Sequence, residues 1–148
     1  MKFYTSYFSQ IRYFKPHQLA FSTAMWNPAF FRTQHIDNEG RIIGLRANPF
    51  IPGPLCKNDC HGPKDCLVKP NNCLFLKHYR MQLDRLKIRD VIKRFEEIAN
   101  EIQQDLGFEE EPEIILIVYE APNNPCSERR VIQEWFRDNG IDIEEYKR

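Results

Sequence analysis

Glu113-Ile-Ile-Leu-Ile-Val-Tyr-Glu120 is the segment on which the fold turns. Its apolar run, Ile114 to Tyr119, is the longest in the chain, and it is continuous rather than alternating, the pattern of a strand covered on both faces. The run is far shorter than the ~18 apolar residues of a membrane-spanning helix, so no membrane partner is expected. The segment reads as the central strand of a sheet, and the sequence on either side has to supply two layers of cover.

On its carboxyl side the loop Ala121 to Asn124 leads into an expected helix from about Pro125 to Asn139. Asn124 is a good N-cap and Pro125 a good first helical residue, while Val131, Ile132, Trp135 and Phe136 fall on one face and Gly140 lies beyond the end. A short edge segment, Ile141 to Tyr146, closes the chain. On the amino side, Glu109 to Glu111 with Pro112 makes a turn. Before it, Ile88, Val91, Ile92, Phe95, Ile98, Ile102 and Leu106 mark a helix over 88–106 that stops at Gly107. Phe75, Tyr79, Leu83 and Leu86 mark another over 74–86.

Residues 2–8 are aromatic and β-prone, and Gln18 to Met25 reads as a second strand. From Trp26 to Asn72 the chain is punctuated by proline and glycine, with only Ile42 to Leu45 suited to a short strand. So long an irregular stretch inside a compact domain needs something to hold it. Strands, irregular region, two helices, buried strand and helix give an α/β fold, a small, largely parallel sheet flanked by helices.

The chain has 148 residues, the length of a single domain, and its 42% hydrophobic and 28% charged residues are ordinary for a globular protein. No secretory signal is legible at the N-terminus, so a reducing cytoplasm is the expected compartment of the five cysteines, whose odd number rules out complete internal disulfide pairing. Lysine plus arginine equals aspartate plus glutamate, but the charge is divided along the chain. Residues 1–90 hold 14 basic and 6 acidic residues and residues 91–148 hold 7 and 15, a surplus of eight positive and then eight negative charges. The basic portion would attract phosphates unless the two portions neutralise each other on folding. Neither GxGxxG nor GxxxxGK[ST] occurs, which removes the simplest dinucleotide- and triphosphate-binding assignments.

Two constellations carry chemistry. The first is Cys56, Cys60, Cys66 and Cys73, within eighteen residues of a polar loop that offers little apolar surface for sulfur to pack on. Four thiolates suit tetrahedral zinc or an iron–sulfur cluster, and the spacing lacks the paired CxxC knuckles that would select zinc. His61 or His78 could replace one cysteine in a zinc shell. The expected role is structural, since ligation contributes roughly 10 kcal/mol in small zinc modules, ample to order an irregular segment.

The second is the strand-to-helix turn, Val118-Tyr-Glu-Ala-Pro-Asn-Asn-Pro-Cys-Ser-Glu-Arg-Arg130. Ligands of parallel sheets collect beyond the carboxyl ends of the strands, where the next helix presents free N–H groups and the positive end of its dipole. A Cys126 thiol in that first turn, beside Arg129 or Arg130, is expected to have a lowered pKa. With Ser127 it would face a phosphate or carboxylate gripped by a guanidinium, and Glu120 would serve as acid or base. Thr5 and Ser6 would join from the neighbouring strand end, their hydroxyls otherwise stranded among aromatics. Glu128 and Arg130 are also what a solvated helix face would carry. Tyr4, Tyr7 and Trp26 could stack on bases, although aromatics in strands more often fill a core.

Tyr4-Thr5-Ser6-Tyr7-Phe8, Phe75-Leu-Lys-His-Tyr-Arg-Met-Gln-Leu-Asp-Arg85, Val118-Tyr-Glu120, Asn124-Pro-Cys-Ser-Glu-Arg129 and Glu134-Trp-Phe136 together resemble the family catalogued as domain of unknown function 488, which includes many phage and prophage proteins. Many members have Cys-His-Arg after the last buried strand. Cys126 fits the cysteine, Ser127 stands where the histidine would, and the arginine comes later, at Arg129. The resemblance implies an α/β fold with a site at this turn and supplies no reaction.

The expected function is binding of, or action on, a phosphate-bearing partner, a nucleotide or nucleic acid, at the turn around Cys126. The alternatives are a non-enzymatic accessory protein that binds a host protein or nucleic acid through the loop lysines Lys57, Lys64 and Lys69, and a redox sensor. Protein purified without oxygen should carry stoichiometric zinc or iron, and a chelator should loosen residues 50–75 while the C-terminal half stays folded. Metal analysis that finds neither element would remove the four-cysteine centre.

Overall fold

A computed structural model describes residues 1–28, 31, 35–36, 42–53, 73–119 and 127–147. In chain order the strands are β1 (Lys2–Tyr7), β2 (Gln18–Ser22), β3 (His35–Ile36), β4 (Ile42–Ile43), β5 (Leu45–Arg46), β6 (Glu113–Val118) and β7 (Ile143–Glu145); the helices are α1 (Leu74–Asp84), α2 (Ile88–Leu106) and α3 (Arg129–Asp138). Short 3-10 turns cover Phe8–Tyr13 and Asn48–Phe50. Five strands form one sheet in the order β5-β2-β6-β1-β7, and β3 pairs with β4 as a separate antiparallel ribbon. Every pairing in the larger sheet is parallel.

The apolar strand does lie at the centre. All six residues of β6 pair with β1, and Glu113 to Ile117 pair with Gln18 to Ser22 of β2. Strand alternation sorts its buried side chains between two cores. Ile114, Leu116 and Val118 pack with Phe3, Leu19, Phe21 and residues of all three helices. Ile115 and Ile117 face the other way, onto Phe8, Ile11, Phe14, Ala20, Ala24 and Phe31. One face is therefore covered by helices and the other by the β1–β2 connection and the segment after β2. The 3-10 turn was not legible in the sequence: Phe8 and Ile11 recur after three residues, too short a span to declare a period.

Helix α2 forms because Val91, Phe95, Ala99 and Ile102 recur at helical spacing and are all buried. Phe95 meets the rings of Phe3, Phe21 and Phe50 at 5.9, 5.2 and 6.1 Å between centroids. The helix ends at Gly107, which adopts φ 73° while its N–H donates to the Gln103 carbonyl at 2.8 Å. Helix α1 ends at Asp84, a little short of the expected Leu86, and β2 ends at Ser22 rather than Met25. The segment expected over Ile42 to Leu45 is divided at Gly44, which takes φ 87° between β4 and β5.

Helix α1 holds the end of the described irregular region, residues 49–53. Tyr79 donates its hydroxyl hydrogen to the Phe50 carbonyl. Gln82 donates to the carbonyls of Ile51 at 2.8 Å and Pro49 at 3.2 Å and accepts from the Gly53 N–H at 2.9 Å. These bonds press Phe50, which is fully buried, against Trp135 and Phe136 of α3.

An alanine Cβ at position 107 would meet nothing within 4 Å, so the cost of Gly107→Ala is the backbone strain of the left-handed conformation alone. Urea unfolding should show a loss of about 1 kcal/mol.

Candidate functional site

In a parallel sheet all the strands end at one edge. Here β1 ends at Tyr7, β2 at Ser22 and β6 at Val118, side by side. Every buried polar or charged residue among the described residues belongs to this edge or to the start of α3: Thr5, Ser6, Ser22, Thr23, Ser127, Glu128 and Arg129. Unpaired polar groups in a core are costly, so each has to be followed to its partner.

Under the start of α3, Arg129 is 5% exposed and places Nε 2.6 Å from Glu145 Oε1 of β7. Thr5 donates to the same carboxylate oxygen at 2.8 Å and accepts from Gln133 Nε2 at 2.7 Å. The Arg129 guanidinium also stands 5.9 Å from the centre of the Tyr7 ring. Ser6, on the opposite face of β1, donates to the Tyr146 carbonyl at 3.4 Å. Burial pushes the Glu145 carboxyl above its ordinary range, and the Arg129 charge and the Thr5 hydroxyl offset that only in part. The group thus docks α3 onto the β1–β7 edge, and the Arg129 charge is met by Glu145.

Between β2 and β6, Thr23 donates its N–H and its hydroxyl hydrogen to the Ile117 carbonyl, both at 2.9 Å, with Oγ1 3.4 Å from Glu128 Oε1. Ser22 donates to Asn27 Oδ1 at 2.5 Å and accepts from the Ala24 N–H at 3.2 Å. Two large aromatics stand exposed just past the strand ends: Tyr119, one residue beyond β6, is 52% exposed, and Trp26 beyond β2 is 71% exposed. Tyr119 leans on Phe8, with ring centroids 5.3 Å apart.

The helix starts later than its sequence signals indicated. Ser127 and Glu128 form a bend and a turn ahead of Arg129, and the Ser127 hydroxyl accepts the Arg129 N–H at 3.1 Å. Ser127 therefore stands ahead of α3 rather than in its first turn. Glu128, read as a solvated charge, is buried against Thr23, whereas Arg130 is exposed.

Of the expected site residues, Thr5, Ser6, Ser127, Arg129 and Arg130 come to one edge of the sheet. Glu120 and Cys126 lie outside the described residues. So do Cys56, Cys60, Cys66 and His61. Cys73 is buried in the helix-side core directly ahead of α1, and His78 is half-buried on that helix. Among the described residues no group of three or more histidine, cysteine or acidic side chains is arranged to hold a metal ion, and no helix is long and apolar enough to cross a membrane. Glu145 and Gln133 were missed. The only sequence signal for Glu145 was an acidic pair inside an otherwise ordinary edge segment.

No family model matches the chain, and no curated protein and no solved structure matches it.

Removing one member of a buried ion pair strands the other charge, so Arg129→Ala should cost about 3–5 kcal/mol in urea unfolding. Arg129→Met combined with Glu145→Leu should recover most of that loss. Additive losses would show that the two side chains are not energetically coupled.

Proposed function

We propose that this protein binds a phosphate-bearing ligand with an aromatic base, a nucleotide or a single-stranded nucleic acid, at the carboxyl edge of its sheet. The observation that carries this reading is the gathering of every buried polar side chain among the described residues at that edge, beneath exposed Trp26 and Tyr119. A fold that needed only stability would put apolar residues there, because a buried polar group at best recovers its desolvation. Ligands of parallel sheets bind at this edge for a geometric reason: loops diverge from the strand ends and leave a crevice between them.

In this reading Trp26 and Tyr119 supply flat surfaces for a base, a contact worth roughly 1–3 kcal/mol each. Exposed Arg130 and the N–H groups at the start of α3 meet the phosphate. Arg129 is a positioning residue, since its charge is matched by Glu145. Glu120 and Cys126 belong to the connection between Tyr119 and Ser127, both of which sit at this edge, and any acid–base or nucleophilic step on the ligand is assigned to them. Cys56, Cys60, Cys66 and Cys73 are assigned to a structural zinc or iron–sulfur centre that ties the cysteine loop to the start of α1. Support for that part is the chemistry of Cys56, Cys60 and Cys66 in a polar stretch of sequence and the position of Cys73, whose side chain lies in the helix-side core, one residue ahead of the helix.

The two tryptophans give the test a built-in reference: Trp26 is 71% exposed and Trp135 is 1% exposed. Titration with adenosine triphosphate and with an oligothymidine should quench the emission of the exposed indole, with an affinity that falls as salt rises. Trp26→Phe should remove the response. Unchanged emission with both ligands at millimolar concentration would sink the proposal.

A further inference from the structure

Helix α2 carries a charge pattern opposite to the one its own dipole favours. From Lys87 to Arg94 there are four basic residues and one acidic residue, Asp90; from Phe95 to Leu106 there are four acidic residues and no basic one. A helix N-terminus is stabilised by acidic side chains and a C-terminus by basic ones, so this arrangement costs the isolated helix stability. The charged residues are on the outer surface, and the Arg94 side chain is 71% exposed, with a 3.5 Å contact to Glu97.

Alongside this helix runs a groove of about 620 Å³, between α2 and the segment from Leu45 to Phe50 at the β5 edge of the sheet. Its floor is apolar and includes Phe21, Leu45, Phe95 and Ile98. Along α2 its lining has Arg94 toward one end and Glu101 and Asp105 toward the other, and Arg46 lines it from the β5 side. A single anionic or cationic ligand would use one end of such a lining and be repelled by the other.

We propose that this face is a two-fold interface, and that its occupant is the α2 helix of a second copy of this chain, packed antiparallel. The pattern is self-complementary in that orientation alone. With the axis beside Ile98, Arg94 lies about 6 Å along the helix on one side and Glu101 about 4.5 Å on the other, from a rise of ~1.5 Å per residue. Arg94 of each copy then meets Glu101 of the other, with Asp105 one turn further out, and the same contact is made twice, as a two-fold axis requires. Ile98 of both copies lies at the centre, over the apolar floor. Antiparallel packing also sets each helix dipole against its neighbour's, so the charges that are unfavourable within one helix become favourable between two. A parallel pair would set like charges together along the whole length.

Sedimentation equilibrium of the full chain tests this. The wild-type protein should be a dimer that dissociates as salt rises. Arg94→Glu places two carboxylates in contact at both ends of the interface, and Glu101→Arg places two cations there. Each variant should raise the dimer dissociation constant roughly a hundredfold while its circular dichroism and unfolding midpoint in the monomer stay near wild type. An equimolar mixture of the two variants should form a heterodimer, because the carboxylates of one variant then face the guanidinium groups of the other. A monomeric wild-type protein at high concentration, single variants that dimerise normally, or a mixture that stays monomeric would each overturn the proposal.

Discussion

Five consecutive side chains of β6, Ile114 to Val118, are wholly removed from solvent, and a strand so buried must be covered on both faces and paired on both edges. That constraint organises the rest. The helix-side core takes Ile114, Leu116 and Val118 and is closed by Phe95, Phe136 and the fully buried Phe50. Among the described residues, the opposite core takes Ile115 and Ile117 and is closed by Phe8, Ile11, Phe14 and Phe31 from turns and extended segments. Because the neighbouring strands are parallel to β6, every connection must cross the sheet from its carboxyl edge to its amino edge, which is why that edge collects loop starts and polar side chains.

The polar groups at the edge fall into two sets with different physical roles. Arg129, Glu145, Thr5 and Gln133 neutralise and bond one another, and their geometry fixes the orientation of α3 on the β1–β7 edge. Trp26, Tyr119 and Arg130 are exposed and stand outside that group. The inner set holds the framework, with its rotamers locked by one another. The helix face at α2 is physically separate. Along α2 its lining passes from a cation, Arg94, to the acids Glu101 and Asp105.

The candidate site was partly legible. Ser127 and Arg129 stand out in the sequence as polar groups at the start of the helix after the buried strand, and Thr5 as a hydroxyl in an aromatic strand, and they do converge. The role expected for Arg129 depended on its having no internal counter-charge. Glu145 supplies one from sixteen residues further along the chain, across a pairing of β1 with β7 that no local pattern encodes. The start of α3, at Arg129, also differs from the expected Pro125, since Asn124-Pro125 and Ser127 are both sound beginnings by type and residue preference alone does not select between them.

By itself the sequence determined which stretch had to be buried on both faces, that helices over about 74–86, 88–106 and 125–139 would present one apolar stripe each, and hence that the chain is an α/β protein. Those features rest on hydrophobic periodicity, which a local window contains. Only the tertiary structure decided the strand order, the partnership of Arg129 with Glu145, the latch of Tyr79 and Gln82 on residues 49–53, and the meeting of β5 and α2 at one groove. Each of these joins residues distant in the chain, and their energies depend on distance and burial, which exist only once the chain has closed on itself.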